Sequence, residues 1–334
     1  MTRVAVMGSG SWGTAFSMVL ADAGSDVTLW AREPHLAESI GRDHVNPAYH
    51  PGIALPASLR ATSDVAQALD GAAIVVLAIP SQTLRENLST WRPLLPPGST
   101  LVSLIKGIEV GTTLRMSEVI CEVAGVGSER IAVVSGPNLA REIAQRQPAA
   151  TTVACADEEA AVRLQDSCSN AYFRPYWTTD VIGVEIGGAV KNVIALANGM
   201  AVGMGFGENA QASLITRGLV EMTRLGVALG AESETFLGLA GIGDLIATCS
   251  SPLSRNRTFG ENLGRGLSVD ETIASTKQTC EGVKSCQAIL DLARHHGVDV
   301  PITEQVVNVV HRGMPPADML RAFMSRETKA EGIV

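Results

Sequence analysis

The chain has 334 residues, of which 46% are hydrophobic and 18% are charged, and its formal net charge is −8. This length is enough to bury more than one core, so we expect two domains. The acidic balance argues against a nucleic acid or an anionic membrane as partner, because either calls for a basic surface. A phosphate-bearing ligand would have to be held by locally placed lysines, arginines and backbone N–H groups.

The cysteines predict neither disulfides nor a zinc site, because no two of them form a Cys-x-x-Cys pair and none clusters with histidine. They are Cys121, Cys155, Cys168, Cys249, Cys280 and Cys286. The N-terminus enters an apolar strand without the pattern of a signal peptide, so we expect a cytoplasmic protein. The apolar stretch 181–206 contains Glu185 and Lys191, which favours a helix buried in protein over a membrane span.

Apolar runs in the first half of the chain predict strands that alternate with helical patterns. The runs cover residues 3–8, 26–31, 72–80, 100–107, 130–136 and 150–156. Their hydrophobicity is continuous and does not alternate, which is typical of strands covered on both faces in a parallel sheet. We therefore predict an α/β domain over residues 1–180.

Helical spacing replaces the strand pattern after about residue 181. It predicts helices over 181–199, 208–229, 233–248, 255–265, 268–276, 281–296 and 302–311. Glycine and proline breaks separate these segments. We expect an all-helical substrate-binding and catalytic domain over 181–326, followed by a flexible tail over 327–334.

A glycine pattern lies where the first strand meets the first helix. Gly8-Ser9-Gly10-Ser11-Trp12-Gly13 has the form G-x-G-x-x-G. The glycines permit a tight turn and the close approach of a pyrophosphate, and the helix N-terminus offers N–H donors. The pattern predicts a dinucleotide site in a Rossmann-type, doubly wound, mostly parallel sheet; a tight packing turn without a ligand is the alternative.

The end of the second predicted strand bears on the choice of cofactor. A carboxylate at this place accepts the ribose hydroxyls of NAD, whereas an arginine accommodates the 2′-phosphate of NADP. The chain offers both, as Arg32-Glu33. Arg32 comes first and favours NADPH, and NADH remains the alternative.

Two lysines stand in apolar runs of a chain that has only five lysines among its 26 basic residues. They are Lys106, after a predicted strand, and Lys191, in the middle of a predicted helix. Burial lowers the pKa of a lysine, so such a residue can exchange a proton near neutrality. Gly187 and Gly188 precede Lys191 by one helical turn and would leave space for a ligand. A lysine that buries its stem and reaches water is the alternative.

Two further segments carry groups that suit a phosphorylated ligand. In the segment 249–257, Ser254, Arg255 and Asn256 stand at a predicted helix start and predict a phosphate site; a solvated basic turn is the alternative. In the segment 135–140, Asn138 follows a strand and could contact a ligand, or the segment could be an ordinary helix start. Asp244 stands in a glycine-flanked apolar run and could pair with Lys191.

These segments together resemble the bacterial type of NAD(P)-dependent glycerol-3-phosphate dehydrogenase. The resemblance covers nearly the whole chain. It is carried by GSGSWGTA, VVLAIPSQ, SLIKGIE, SGPNLARE, GGAVKNVIALANG, GLAGIGDLIATCSSPLSRNRTFG and CEGVKSC. The chain departs from the family pattern after SGP, where serine or threonine and then phenylalanine are usual and this chain has Asn138-Leu139.

The resemblance implies reversible reduction of dihydroxyacetone phosphate to sn-glycerol 3-phosphate, for glycerophospholipid synthesis, by a cytoplasmic homodimer with NADPH or NADH. It implies that Lys191 is the general acid and base. The implied substrate-binding residues are Lys106, Gly136, Asn138, Lys191, Asp244, Ser254, Arg255 and Asn256. The implied cofactor-binding residues are Gly8, Gly10, Ser11, Trp12, Gly13, Arg32, Tyr49, Lys106, Ala140, Arg255, Thr279 and Glu281.

Two other functions share part of this pattern. The β-hydroxyacid dehydrogenases also have a glycine loop and a helical lysine, but they usually carry asparagine one turn after the lysine, where this chain has Ala195. They also bind carboxylates and not phosphates. A non-catalytic NADPH sensor would account for the glycine loop and Arg32, but not for Lys106 or the segment 249–257.

Overall fold

The computed structural model describes residues 1–275 and 280–324. Its contacts divide the chain into two compact units. The first unit contains Met1–Ile105 and Met116–Val181, and the second contains Lys106–Arg115 and the described residues from Ile182 onward. Lys106–Arg115 lies within the predicted N-terminal domain, yet its contacts assign it to the second unit. The predicted tail, 327–334, lies outside the described residues.

The first unit is built on one eight-stranded sheet. Its strands are β1 (Arg3–Met7), β2 (Asp26–Trp30), β3 (Arg60–Thr62), β4 (Ile74–Leu77), β5 (Thr100–Ser103), β6 (Ile131–Ser135), β7 (Ala149–Cys155) and β8 (Phe173–Thr178). The order across the sheet is β3-β2-β1-β4-β5-β6-β7-β8. All neighbours pair in parallel except β6 and β7, which are antiparallel.

The helices of the first unit follow the strands along the chain. They are α1 (Ser11–Asp22), α2 (Pro34–Asp43), α3 (Val65–Leu69), α4 (Leu84–Trp91), α5 (Met116–Ala124), α6 (Ala140–Ala144) and α7 (Glu158–Cys168). Apolar side chains of α1, α2 and α7 share one core with those of β1, β2 and β7. The predicted mostly parallel sheet, followed by a helical domain, is thus confirmed.

Two strands have no counterpart among the predicted ones. β3 has only three residues, none of them buried, and β8 alternates buried with exposed residues along FRPYWT. Both lie at edges of the sheet. An edge strand is covered less than a central one, so the continuous apolar run that predicts a central strand is missing there.

The second unit consists of helices. They are α8 (Val181–Gly203), α9 (Glu208–Ala228), α10 (Asp244–Ser250), α11 (Arg255–Gly264), α12 (Val269–Ser275), α13 (Glu281–His295), α14 (Pro301–Arg312) and α15 (Pro316–Met324). α8 is long and apolar enough to cross a membrane, but 89% of its apolar window is buried inside the protein. It is therefore the core helix of this unit.

Glycines bring α11 into close contact with α8. A β-carbon on Gly199 of α8 would lie 2.1 Å from the carbonyl oxygen of Arg257, and one on Gly260 of α11 would lie 2.1 Å from that of Leu196. Only glycine fits at either position, because real β-carbons do not approach backbone atoms so closely. The two backbones can therefore touch, and the start of α11 lies beside the middle of α8.

Two helical segments differ from the prediction. The predicted helix over 233–248 is divided into a 3₁₀ turn at Ser233–Leu237, a π turn at Leu239–Gly243 and α10. Gly241 interrupts it with a non-helical backbone (φ −98°, ψ −107°). α15 was not predicted, because Pro315-Pro316 suggests a break; proline also fits the first turn of a helix, and α15 begins at Pro316.

Candidate active site

The glycine loop, residues 8–13, connects β1 to α1 and includes the first turn of α1; its three glycines have different surroundings. Gly8 has φ +130°, and a β-carbon there would lie 2.4 Å from the carbonyl oxygen of Ala78. A β-carbon on Gly13 would lie 2.0 Å from the carbonyl oxygen of Gly8. A β-carbon on Gly10, in contrast, would meet nothing within 4 Å. Packing explains Gly8 and Gly13, whereas the space at Gly10 is open to a ligand, which fits the pyrophosphate of a dinucleotide.

Arg32 follows β2 at the carboxyl end of the sheet. Its side chain is 83% exposed and lies 3.3 Å from the carboxylate of Glu33. An exposed ion pair of this kind contributes little to stability, so the guanidinium can turn to another anion at small cost. Arg32 can therefore meet the 2′-phosphate of NADP.

Asn138 follows β6 at the same edge of the sheet. Gly136 has φ +154°, and a β-carbon there would lie 3.0 Å from the Cα of Thr151 on β7. Asn138 donates through Nδ2 to Thr151 Oγ1 at 2.8 Å, and this hydroxyl donates to the carbonyl of Ser135 at 3.0 Å. Asn138 Oδ1 is buried without a hydrogen-bond partner among the described residues. An acceptor left in this state suits a ligand or a water molecule.

The lysine cluster, formed by Lys106, Lys191, Asp244 and Thr248, lies in the second unit. Asp244 Oδ1 accepts from Lys191 Nζ at 2.5 Å, and Asp244 Oδ2 accepts from Lys106 Nζ at 2.6 Å. Lys191 also donates to Thr248 Oγ1 at 2.6 Å. The side chains of Lys191 and Asp244 are only 8% and 2% exposed. One buried carboxylate thus bridges two ammonium groups, and a third hydrogen of the Lys191 ammonium remains to be donated.

The surroundings of Lys191 in the cluster bring its pKa close to neutral pH. Burial lowers the pKa of Lys191 to about 8, and the nearby cation of Lys106 also lowers it, while the carboxylate of Asp244 acts in the opposite direction. Desolvation of the ammonium is the largest of these effects. Lys191 can therefore both give and take a proton in the physiological range.

The sequence suggested that Gly187 leaves space for a ligand, but in the structure this space is filled by backbone. A β-carbon there would lie 2.4 Å from the carbonyl oxygen of Ala240, in the π turn before α10. Gly187 and Lys191 are one turn apart and lie on the same side of α8. Gly187 instead lets the π turn approach α8, and this approach brings Asp244, the first residue of α10, to Lys191.

The start of α11 carries the predicted phosphate-binding residues. Ser254 caps the helix, since its Oγ accepts from the N–H of Arg257 at 3.2 Å. Arg255 is exposed. Asn256 is buried and donates through Nδ2 to Asn192 Oδ1 at 2.9 Å, while its Oδ1 accepts from the N–H of Gly282 at 3.0 Å. Asn256 therefore ties α11 to α8 and α13, which leaves only part of its hydrogen-bonding capacity for a ligand.

Comparison with known proteins identifies the family. Residues 3–161 match the model described as NAD-dependent glycerol-3-phosphate dehydrogenase N-terminus, and residues 180–321 match the model of the C-terminus of the same family. The chain belongs to the NAD-dependent glycerol-3-phosphate dehydrogenase family. A relative named glycerol-3-phosphate dehydrogenase [NAD(P)+] from Thermobifida fusca is 65% identical over 99% of both chains. A relative of the same name from Corynebacterium glutamicum is 60% identical over 99% of this chain and 100% of its own.

Comparison with solved structures supports the same family assignment. A crystal structure of glycerol-3-phosphate dehydrogenase from Coxiella burnetii matches with a TM-score of 0.92 at 36% identity, over 97% of this chain and 99% of that one. A ketopantoate reductase from Ralstonia eutropha matches with a TM-score of 0.58 at 17% identity, over 96% of this chain and 100% of that one, a likeness of fold alone. Membership of this family replaces the two alternative functions that the sequence left open, a β-hydroxyacid dehydrogenase and a non-catalytic NADPH sensor.

The remaining residues implied by the family lie at several places in the two units. In the first unit, Ser11 begins α1, Trp12 follows it, and Ala140 begins α6. Tyr49 is exposed. In the second unit, Glu281 begins α13. Thr279 lies outside the described residues.

Sequence reasoning missed four residues that contact the predicted ones. Thr248 accepts from Lys191, and Asn192 links Asn256 to the backbone carbonyl of Lys106, to which it donates at 3.4 Å. Asn46 and His50 contact the glycine loop. Asn192 stands beside Lys191 in the GAVKN motif, which was a usable signal. Nothing local distinguishes the other three from ordinary loop or helix residues.

Proposed function

We propose that this protein catalyses the reversible NAD(P)H-dependent reduction of dihydroxyacetone phosphate to sn-glycerol 3-phosphate, with Lys191 as general acid and base. The observation that carries the proposal is the buried Lys191 ammonium, held by Asp244 and Thr248 and with a pKa lowered to about 8. The enzyme acts as a cytoplasmic homodimer, prefers NADPH, and supplies glycerol 3-phosphate to glycerophospholipid synthesis.

The reduction needs a hydride at the carbonyl carbon and a proton at the carbonyl oxygen. Bound NAD(P)H supplies the hydride. Lys191 stabilises the negative charge that develops on the oxygen and then donates its proton, which becomes the new hydroxyl hydrogen. The neutral amine is reprotonated from solvent. In the oxidation direction the neutral amine takes the hydroxyl proton, and the hydride would pass to the oxidised cofactor, NAD(P)+.

Asp244 and Lys106 keep Lys191 in position for this step. Asp244 shares its two oxygens between the two lysines, so the amine of Lys191 cannot rotate away without losing a buried ion pair. Lys106 adds a second positive charge beside the developing oxyanion and binds the substrate. Thr248 accepts one of the Lys191 hydrogens and so fixes the direction of the others.

The start of α11 binds the phosphate group of the substrate. The first N–H groups of a helix lack partners within the helix and attract anions. Arg255 adds an exposed guanidinium, and Ser254 and Asn256 stand beside it in the chain. Binding of the phosphate at this end of α11 would hold the substrate while the chemistry proceeds at Lys191.

Cofactor binding rests on the carboxyl edge of the sheet in the first unit. The glycine loop offers N–H groups to the pyrophosphate, and Arg32 offers its guanidinium to a 2′-phosphate. Tyr49 and Ala140 add further contacts in this unit, and Asn138 offers to a ligand its Oδ1, which has no hydrogen-bond partner among the described residues. Side-by-side titration with NADPH and NADH, in the wild type and in Arg32→Ala, tests the preference for NADP.

The decisive experiment is turnover of Lys191→Ala with dihydroxyacetone phosphate. Removing the proton donor should lower kcat by about 10²- to 10⁴-fold, as expected for loss of a general acid, while the Kd for NADPH stays unchanged. Lys284→Ala is the matched control, because Lys284 is an exposed lysine on α13. Near-normal turnover by Lys191→Ala would refute the assignment. Turnover of hydroxyacids in place of the phosphorylated ketone would refute the substrate.

A further inference from the structure

The segment 44–53 runs along the surface of the first unit, and only two of its ten residues are buried, Asn46 and His50. Asn46 is 0% exposed and His50 is 1% exposed, although both are polar. Burial of a polar side chain costs free energy unless hydrogen bonds compensate for the lost water. The partners of both side chains include carbonyl oxygens of the glycine loop.

Asn46 holds the carbonyl of Ser9. Its Nδ2 donates to Ser9 O at 3.0 Å and to Thr14 Oγ1 at 2.9 Å, and the Thr14 hydroxyl itself donates to Ser9 O at 3.0 Å. The Thr14 hydroxyl has thus given away its hydrogen and can only accept from Asn46. Asn46 Oδ1 accepts from the N–H of Tyr49 at 3.3 Å. The orientation of the amide is therefore fixed, with its nitrogen toward the loop.

His50 holds the carbonyl of Ser11. Its Nε2 lies 2.7 Å from Ser11 O, so this nitrogen carries the proton. Burial, the largest effect, lowers the pKa of His50, so the ring stays neutral at physiological pH. A neutral ring protonated at Nε2 is one donor directed at one acceptor.

The hydrogen bonds to these two carbonyls help to decide where the N–H groups of Gly10 and Trp12 point; Trp12 also lies in the first turn of α1. The described peptide bonds are trans, and in a trans peptide unit the C=O and the N–H point in opposite directions. The carbonyl of Ser9 shares its peptide unit with the N–H of Gly10, and that of Ser11 shares its unit with the N–H of Trp12. Holding these carbonyls from one side thus directs both N–H groups toward the other side.

We propose that Asn46 and His50 are positioning residues for the dinucleotide, because they fix the Gly10 and Trp12 peptide units with their N–H groups toward the pyrophosphate. A loop with three glycines has many conformations, and ordering it when the ligand binds would weaken affinity. The two side chains, together with the packing of Gly8 and Gly13 and the first turn of α1, order the loop beforehand. The inference rests on the proposed function, since it concerns the cofactor that this function requires.

The test is direct titration of the full-length protein with NADPH and with NADH, without substrate. Asn46→Asp keeps the shape of the side chain but places an oxygen against Ser9 O, and we expect it to raise Kd by about tenfold or more. His50→Leu removes the donor and should raise Kd by about fivefold. His50→Gln restores an N–H at a similar reach and should bind within about twofold of the wild type. The factor should be the same for both cofactors, because they share the pyrophosphate.

Asn170→Asp is the matched control. Asn170 also donates its amide to a main-chain carbonyl of α1, that of Val19 at 3.1 Å, but at the other end of the helix. This variant should lose thermal stability and keep its affinity for both cofactors. Saturating cofactor should restore kcat in Asn46→Asp and His50→Leu, because these residues act on binding.

Two results would overturn the inference. Wild-type affinity in Asn46→Asp and His50→Leu, with a Tm lowered as in Asn170→Asp, would show that the contacts only hold the segment to the domain. Unequal factors for NADPH and NADH would place the defect at the ribose and not at the pyrophosphate. If Asn46→Asp does not fold, the comparison of His50→Leu with His50→Gln still shows whether cofactor affinity depends on a donor at position 50. A wild-type protein that binds neither cofactor would overturn the proposed function itself.

Discussion

The glycine loop of the first unit and the lysine cluster of the second are both suited to negative charge, but they are built differently. The loop relies on main-chain N–H groups, and no charged side chain is needed within it. The cluster relies on buried ammonium groups that one carboxylate keeps in place. A loop of this kind binds an anion without exchanging protons, whereas a cluster whose lysine has a pKa of about 8 can also move a proton. The first arrangement suits a cofactor that must be bound and released, and the second suits the chemical step.

Asp244→Asn should have the largest effect, because it removes the charge that compensates two buried ammonium groups. We expect kcat to fall by about 10³-fold or more, as for loss of a positioned acid and base. The free energy of unfolding should fall by about 3–5 kcal/mol, the usual cost of breaking a buried ion pair. The Kd for NADPH should not change. Steady-state kinetics and thermal denaturation measure these effects, with Asp291→Asn as the control on the surface of α13.

Two glycine substitutions should impair the two units independently, one by weakening cofactor binding and the other by lowering kcat. A methyl group on Gly13 would collide with Gly8 O at 2.0 Å, so Gly13→Ala should weaken NADPH binding by about 100-fold, or about 2.7 kcal/mol. A methyl group on Gly187 would displace the turn that carries Asp244, so Gly187→Ala should lower kcat by about 100-fold, the typical effect of a misplacement of about 1 Å. Gly207→Ala is the control, since a β-carbon there meets nothing within 4 Å. A loss of NADPH affinity in Gly187→Ala would contradict the separation.

The contrast between the units also explains how much could be predicted from the sequence. β1, the glycine loop and α1 are adjacent in the chain, so one local motif predicts all three. The lysine cluster is formed by segments around residues 106, 191 and 244–248, which are far apart in the chain. Lys191 and Asp244 stood out because charged residues are rare in apolar runs. Thr248 did not, because a threonine in a helix usually has no special partner.

The missed elements have a similar physical reason. β3 and β8 lie at the edges of the sheet, where one side of the backbone pairs with no neighbouring strand and apolar runs are short. Asn46 and His50 lie in an exposed segment, and their spacing of four residues does not show that both side chains turn inward. The interpretation of Gly187 was wrong because a glycine beside a ligand and a glycine beside a backbone look the same in sequence.

Changing pH should affect the two units differently. Reduction needs protonated Lys191, so its kcat should fall by about tenfold per pH unit above pH 8, and oxidation needs the neutral amine, so its kcat should fall by the same factor per unit below pH 8. The Kd for NADPH should stay nearly constant between pH 7 and about 9, because main-chain N–H groups do not titrate in this range. Initial rates in both directions and titrations at each pH measure this. A Kd that follows the same profile as kcat would contradict it.

Thr248→Val should have the smallest effect and is the finest test of the cluster. Valine has nearly the same shape but cannot accept the hydrogen bond that Lys191 donates to Thr248 Oγ1 at 2.6 Å. Because this bond stabilises the ammonium, its loss should lower the pKa of Lys191 below 8. The reduction limb of the pH profile should move to lower pH, so that kcat for reduction falls by about fivefold above pH 8, corresponding to one hydrogen bond of about 1 kcal/mol, and by less than about twofold at pH 7. The oxidation limb should move the same way, so that kcat for oxidation at pH 7 rises by about threefold while reduction falls. Thr223→Val is the matched control, because this buried threonine donates to the carbonyl of Leu219 within α9. An unshifted profile in Thr248→Val would show that burial, Asp244 and Lys106 set the pKa of Lys191 without a contribution from Thr248.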